Sequence, residues 1–129
     1  MREVRAKDVS YDNSTAFNDY LVELIQDKKG RDIKSLDLRK IPEAITDYFI
    51  VCHGDSSTQV KAIIDNIHKK VKEDRGEAPH HVEGTARSEW AIIDYTDVVV
   101  HVFLKEMRDH YQLEDLWSDA VVTEFEDNY

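Results

Sequence analysis

Two aspartates, Asp94 and Asp97, flank a short polar segment between two apolar runs of the chain. Paired carboxylates near strand ends can hold Mg²⁺ for nucleotidyl transfer, provided that a neighbouring strand supplies a third carboxylate. Asp47 is the obvious candidate for that third ligand, but it precedes an apolar run of the kind that is buried. Aspartates on either side of a tight turn are also what turn chemistry favours. The pattern therefore favours a turn, with a Mg-dependent nucleotidyltransferase using Asp94 and Asp97 as the alternative.

The segment Gly54-Asp55-Ser56-Ser57 follows an apolar run and precedes a helical pattern, and helix N-termini in such places can bind phosphate. The segment has no lysine, lacks the Gly-x-x-x-x-Gly-Lys spacing of a P-loop, and carries Asp55, which would repel a phosphate. Ser56 and Gln59 instead fit a capping box. We predict that this turn caps a helix and does not bind phosphate.

The histidines and the single cysteine are too dispersed to predict a metal site. No two histidines have the i, i+4 spacing of zinc ligands on a helix, and Cys52 has no cysteine partner. His101 interrupts an apolar run, where it is either a hydrogen-bonded core histidine or a polar contact on a binding face. We therefore predict no metal and no cofactor.

Apolar periodicity predicts the elements that must position these groups. Helices are predicted at 14–29, with Gly30 as the stop, and at 57–74. Strands are predicted at 33–38, 48–52, 81–83, 90–93 and 98–104, and helical turns at 106–111 and 113–117. The last two strands are close enough to form an antiparallel hairpin. This order predicts an α/β fold with a mixed β-sheet sandwiched by helices.

The length of 129 residues suits a single domain, 1–129, without repeats, with a loose N-terminal arm at 1–12 and an acidic tail at 118–129. The formal charge of −10 would repel nucleic-acid phosphates and attract a basic protein surface, although it also serves solubility alone. One cysteine, no apolar run of membrane length and no secretory signal predict a soluble, cytoplasmic protein.

Six short motifs occur in one order along the chain: Asp47–Val51, Ser56–Val60, His81–Gly84, Trp90–Tyr95, Asp97–Phe103 and Tyr111–Trp117. Together they closely resemble the ribosomal silencing factor family, also called iojap, over most of the chain. Ser88 and Thr96 stand where the family often has glycine.

The resemblance implies a fold similar to nucleotidyltransferases that has lost their active site, and therefore a protein that is not an enzyme. It also implies binding to the fourteenth ribosomal protein of the large subunit. There a family member blocks joining of the ribosomal subunits and represses translation under nutrient limitation. Free members tend to be homodimers. A generic acidic dimer that acts as an adaptor without the ribosome is a further alternative.

Large aromatic residues near strand ends and in the last helical turn are candidate interface anchors, although core packing explains them equally well. The aspartates of the predicted turn would pair with lysine or arginine on a basic partner. The predicted partner-binding residues are Tyr48, Trp90, Asp94, Tyr95, Asp97, His101, Tyr111 and Trp117.

Overall fold

The structure, a computed structural model, describes residues 10–129, apart from the side chains of residues 10–13 and of Leu116. In chain order its elements are α1 (Ser10–Asp27), β1 (Arg31–Asp37), β2 (Tyr48–Gly54), α2 (Ser57–Arg75), β3 (His81–Glu83), β4 (Trp90–Asp94), β5 (Val98–Leu104), α3 (Lys105–Tyr111), a 3₁₀ helix (Leu113–Trp117) and β6 (Val121–Phe125). The predicted helices and strands are confirmed, with shifted ends. Residues 1–9 of the predicted N-terminal arm lie outside the described residues, and residues 10–12 belong to α1.

The strands form one six-stranded sheet in the order β3-β4-β5-β2-β1-β6. β2 and β5 are parallel at its centre, and every other pair is antiparallel. The predicted hairpin is confirmed, since Ile92 of β4 lies opposite His101 of β5. The mixed sheet predicted from the order of elements is therefore correct.

The two faces of the sheet are covered differently. α1 and α2 cover one face and form the larger core with inward residues of the strands, such as Ile50, Ile93 and Val100. The other face, which we call the open face, carries a smaller core around Val51 and Phe103, against which α3 and the 3₁₀ helix pack. Within residues 10–129, no helix is long and apolar enough to cross a membrane.

The capping box predicted at the start of α2 is confirmed and has a second use. Ser56 Oγ accepts a hydrogen bond from the Gln59 backbone N–H at 3.1 Å. The Gln59 side chain accepts from the Asp55 N–H at 2.8 Å and donates to the Lys28 and Lys29 carbonyls at 3.1 and 2.9 Å. One side chain therefore satisfies backbone groups at the start of α2 and just beyond the end of α1.

The end of α1 differs from its prediction. The left-handed conformation that often ends a helix is taken by Lys29, with φ of 61°, and not by Gly30. Glycine is needed at position 30 because a Cβ there would lie 2.3 Å from Ile25 Cγ2. Gly30 thus allows the chain to pass close to α1 on its way into β1.

The acidic tail contains a strand that the sequence did not predict. β6 pairs with β1 in antiparallel fashion, with Val122 opposite Leu36. Beyond it, the Tyr129 hydroxyl donates to the Gly30 carbonyl at 2.7 Å. Residues 121–125 of the predicted acidic tail are therefore part of the sheet.

Candidate protein-docking face

Five ring side chains form a continuous series across the open face, which we call the aromatic row: Trp117, Phe49, His101, Trp90 and Tyr111. Trp117 lies edge-on to Phe49 at 5.8 Å between ring centroids, and Phe49 lies 4.8 Å from His101. Trp90 is 6.1 Å from His101 and 4.7 Å from Tyr111. The aromatic row therefore brings together residues of the central strands β2 and β5, of β4, and of the C-terminal helical segments.

Trp90 is a half-buried member of the aromatic row that packs against several other rings. Its half-buried indole stacks on the fully buried Phe103 ring at 4.9 Å with an interplanar angle of 24°. Its Nε1–H donates to His101 Nδ1 at 3.1 Å. Tyr111, 46% exposed, covers another side of the indole. A large aromatic ring held by neighbours and partly open to solvent is typical of an interface anchor.

Acidic side chains border the aromatic row. Asp94 shares the open side of β4 with Trp90, and Glu83 of β3 lies opposite Ile92. Burial lowers the pKa of His101 to about 4, although the charges of Asp94 and Glu83 act in the opposite direction. His101 is therefore neutral near pH 7, and the carboxylates of Asp94 and Glu83 lie near it on this face.

Asp94 and Asp97 organise the β4–β5 turn. Asp94 Oδ1 accepts from the Thr96 N–H at 2.7 Å, and the Asp97 carbonyl accepts from the Asp47 and Tyr48 N–H groups at 3.0 and 3.1 Å. Partial burial, with Asp47 nearby, raises the pKa of Asp97. Among the described residues, no group of three or more His, Cys, Asp or Glu side chains is placed to hold a metal ion.

Tyr48 and Tyr95 lie apart from the other predicted site residues. Tyr48 is buried on the helical side of the sheet, where its hydroxyl hydrogen-bonds Thr15 Oγ1 at 2.8 Å. Tyr95 is buried on the same side, edge-on to Phe17 at 5.3 Å, and burial raises the pKa of its hydroxyl. The expectation that all the predicted residues share one surface is therefore corrected for these two tyrosines.

Comparisons with known proteins agree with this fold. Residues 11–128 match the family model described as "Ribosomal silencing factor during starvation". The chain belongs to the ribosomal silencing factor family. It is 42% identical over 105 residues to "Ribosomal silencing factor RsfS" of Halalkalibacterium halodurans, covering 81% of this chain and 88% of that protein. It is 41% identical over 100 residues to the protein of the same name from Bacillus subtilis, covering 78% and 83%.

A solved structure extends the similarity to three dimensions. The crystal structure of a protein from Chromobacterium violaceum superposes with a TM-score of 0.76 at 38% identity, covering 81% of this chain and 85% of that one. The fold of this chain is therefore shared with a solved protein structure.

Sequence reasoning missed Ile45 in this member of the ribosomal silencing factor family. Ile45 is 97% exposed, in the loop before β2. That loop is held against the β4–β5 turn, because Thr46 Oγ1 donates to the Thr96 carbonyl at 2.7 Å. The sequence signal that could have identified Ile45 is its position beside the polar residues Thr46 and Asp47 in a loop. The Ile45 side chain is therefore an exposed apolar group near the β4–β5 turn, which carries Asp94 and Asp97.

Sequence reasoning also missed Arg108, which holds the C-terminal helical segments against the sheet. Its buried guanidinium donates to the Asp32 carbonyl at 2.7 Å, to His53 Nδ1 at 3.0 Å and to Glu114 Oε2 at 3.1 Å. These bonds join β1, β2 and the 3₁₀ helix to α3. In this ribosomal silencing factor, Arg108 therefore positions the segment that bears Tyr111 and Trp117.

Proposed function

We propose that this protein binds the large ribosomal subunit through the open face of its sheet and represses translation under nutrient limitation. The partner is a basic ribosomal protein, the fourteenth of the large subunit. Bound there in the cytoplasm, the domain blocks joining of the ribosomal subunits by occupying the space that the other subunit needs.

Membership of the ribosomal silencing factor family supports the ribosomal target. The aromatic row supports the choice of surface, since aromatic side chains that are partly open and well packed dominate protein interfaces. The acidic border and the formal charge of −10 support a basic protein partner in preference to the ribosomal RNA around it.

The proposed mechanism requires no chemical step, and we propose that the protein is not an enzyme. The carboxylate of Asp94 accepts from the Thr96 N–H, which is a turn contact. The Asp97 carbonyl joins the turn to the loop before β2. The alternative nucleotidyltransferase would need Asp94, Asp97 and a third carboxylate together on Mg²⁺, and in the part of the chain that the structure describes no group of three or more His, Cys, Asp or Glu side chains is placed for this.

The end of the proposed surface at the β4–β5 turn, against which the Ile45 loop is held, is tested with Ile45→Lys. Ile45 is 97% exposed, so the substitution leaves the packed core intact while it places a positive charge beside the acidic turn. We expect the dissociation constant for isolated large subunits, measured by cosedimentation at modest salt, to rise at least about tenfold, since like charges are brought together across the interface.

His68→Lys is the charge-matched control. His68 is exposed on α2, which covers the face of the sheet opposite to the open face. This variant is expected to bind as the wild type does. Equal binding by both variants would exclude the surface around Ile45, and absence of the wild type from the large-subunit peak would reject the ribosomal function itself.

The free protein is proposed to be a homodimer, as the resemblance implies. Static light scattering of the wild type in the absence of ribosomes measures the mass directly. A mass near the 15.0 kDa of one chain would contradict the dimer without affecting the proposed surface.

A further inference from the structure

The hydrogen bond between Trp90 and His101 fixes which nitrogen of the imidazole carries the proton. An indole N–H can only donate, so the 3.1 Å contact requires His101 Nδ1 to be the acceptor. The proton of the neutral ring is then on Nε2. This Nε2 is buried and has no hydrogen-bond partner among the described residues.

His101 itself is poorly placed to touch a partner. The residue is only 6% exposed and lies between Phe49 and Trp90 in the aromatic row. Trp90, by contrast, is half-buried, and its ring leans on Phe103 and Tyr111. Neither ring contact specifies which way the indole nitrogen points, whereas a hydrogen bond to a fixed acceptor does.

We propose that His101 is a positioning residue, whose Nδ1 holds the Trp90 indole in the orientation that the ribosomal partner recognises. The inference rests on the proposed function and gives His101 a role that is exerted through Trp90 and not by contact. An anchor that is already ordered loses less side-chain freedom on binding, which strengthens the complex without any added contact.

The tautomer is stable over the physiological pH range. Protonation would place hydrogens on both ring nitrogens and remove the acceptor that Trp90 needs. Burial disfavours the charged ring, and the nearby carboxylates of Asp94 and Glu83 do not outweigh it. The orientation of Trp90 is therefore constant under the conditions in which ribosomes work.

The test compares His101→Leu with His101→Asn. Leucine removes the acceptor, whereas the asparagine side-chain oxygen can accept in place of Nδ1. The first readout is the indole N–H resonance of Trp90, assigned in a Trp117→Phe background. The second is the dissociation constant for isolated large subunits.

We expect His101→Leu to shift the Trp90 indole resonance, to speed its hydrogen exchange and to weaken binding about three- to tenfold, the range set by the ordering of one side chain. His101→Asn is expected to keep both values near those of the wild type. Wild-type binding by a folded His101→Leu, or an Asn variant as weak as the Leu variant, would overturn the proposal.

A second variant covers the case in which His101→Leu fails to fold. Trp90→Phe removes the N–H donor and retains an aromatic ring, so it should weaken binding by a similar factor. Wild-type binding by a folded Trp90→Phe would contradict the proposal. Where His101→Leu does fold, adding it to Trp90→Phe should change binding no further, and fully additive losses would contradict the proposal as well. If the wild type does not bind large subunits at all, the proposed function fails, while the indole resonance still reports on the His101 contact.

Discussion

Thr96 stores strain in the β4–β5 turn, and Thr96→Gly should release it. The residue has φ of 76°, a region that costs a non-glycine residue about 1–2 kcal/mol. Glycine loses more backbone freedom on folding, which costs about 0.5–1 kcal/mol. The difference is a net stabilisation of about 0.5–1 kcal/mol, or about 2–4 °C in the melting temperature.

The backbone contacts of the turn survive this substitution. The Thr96 N–H donates to Asp94 and its carbonyl accepts from Thr46, and glycine supplies both groups. Urea unfolding and thermal melting measure the change. Thr123→Gly is the control, because Thr123 is also exposed but lies in the extended strand β6, where glycine should destabilise by about 0.5–1 kcal/mol. Destabilisation by Thr96→Gly would refute the strain assigned to this turn.

Two further outcomes are expected. The pKa of His101 is lowered to about 4 by burial from an ordinary 6.5, so the unfolded chain takes up the proton first as the pH falls, and the free energy of unfolding decreases. Between pH 7.5 and 5.5 this residue should account for about 1 kcal/mol of lost stability, measured by urea unfolding as the difference from His101→Asn. Adding a nucleoside triphosphate with Mg²⁺ should leave the melting temperature unchanged, and a rise that Asp94→Asn abolishes would support the nucleotidyltransferase instead.

The strands of the sheet centre were predictable because their residue patterns are unambiguous. β5 is a nearly continuous apolar run, which is typical of a strand buried on both faces, and the capping residues Ser56 and Gln59 marked the start of α2. β6 was missed because acidic residues follow its two valines, and its pairing with β1 joins distant parts of the chain. A strand that is stabilised mainly by such a pairing has little signal of its own.

The alternation of side chains along a strand could have predicted that some of the predicted site residues lie on opposite faces of the sheet. Trp90 and Tyr95 are an odd number of positions apart, so regular alternation already places them on opposite faces of a strand. Tyr48 could not be assigned in this way, because its side depends on the register between β2 and β5. The role of Arg108 could not be predicted either, since its partners Asp32 and His53 are far away in sequence.

The aromatic row draws its members from positions 49, 90, 101, 111 and 117, and the rings touch only after β2, β4 and β5 have paired. A fragment must span at least residues 49–117 to contain all five rings. A growing polypeptide that still lacks Trp117 therefore presents only part of this surface. In the proposed binding mode, affinity for the ribosomal partner is therefore coupled to the pairing of these strands and to synthesis of the chain through Trp117.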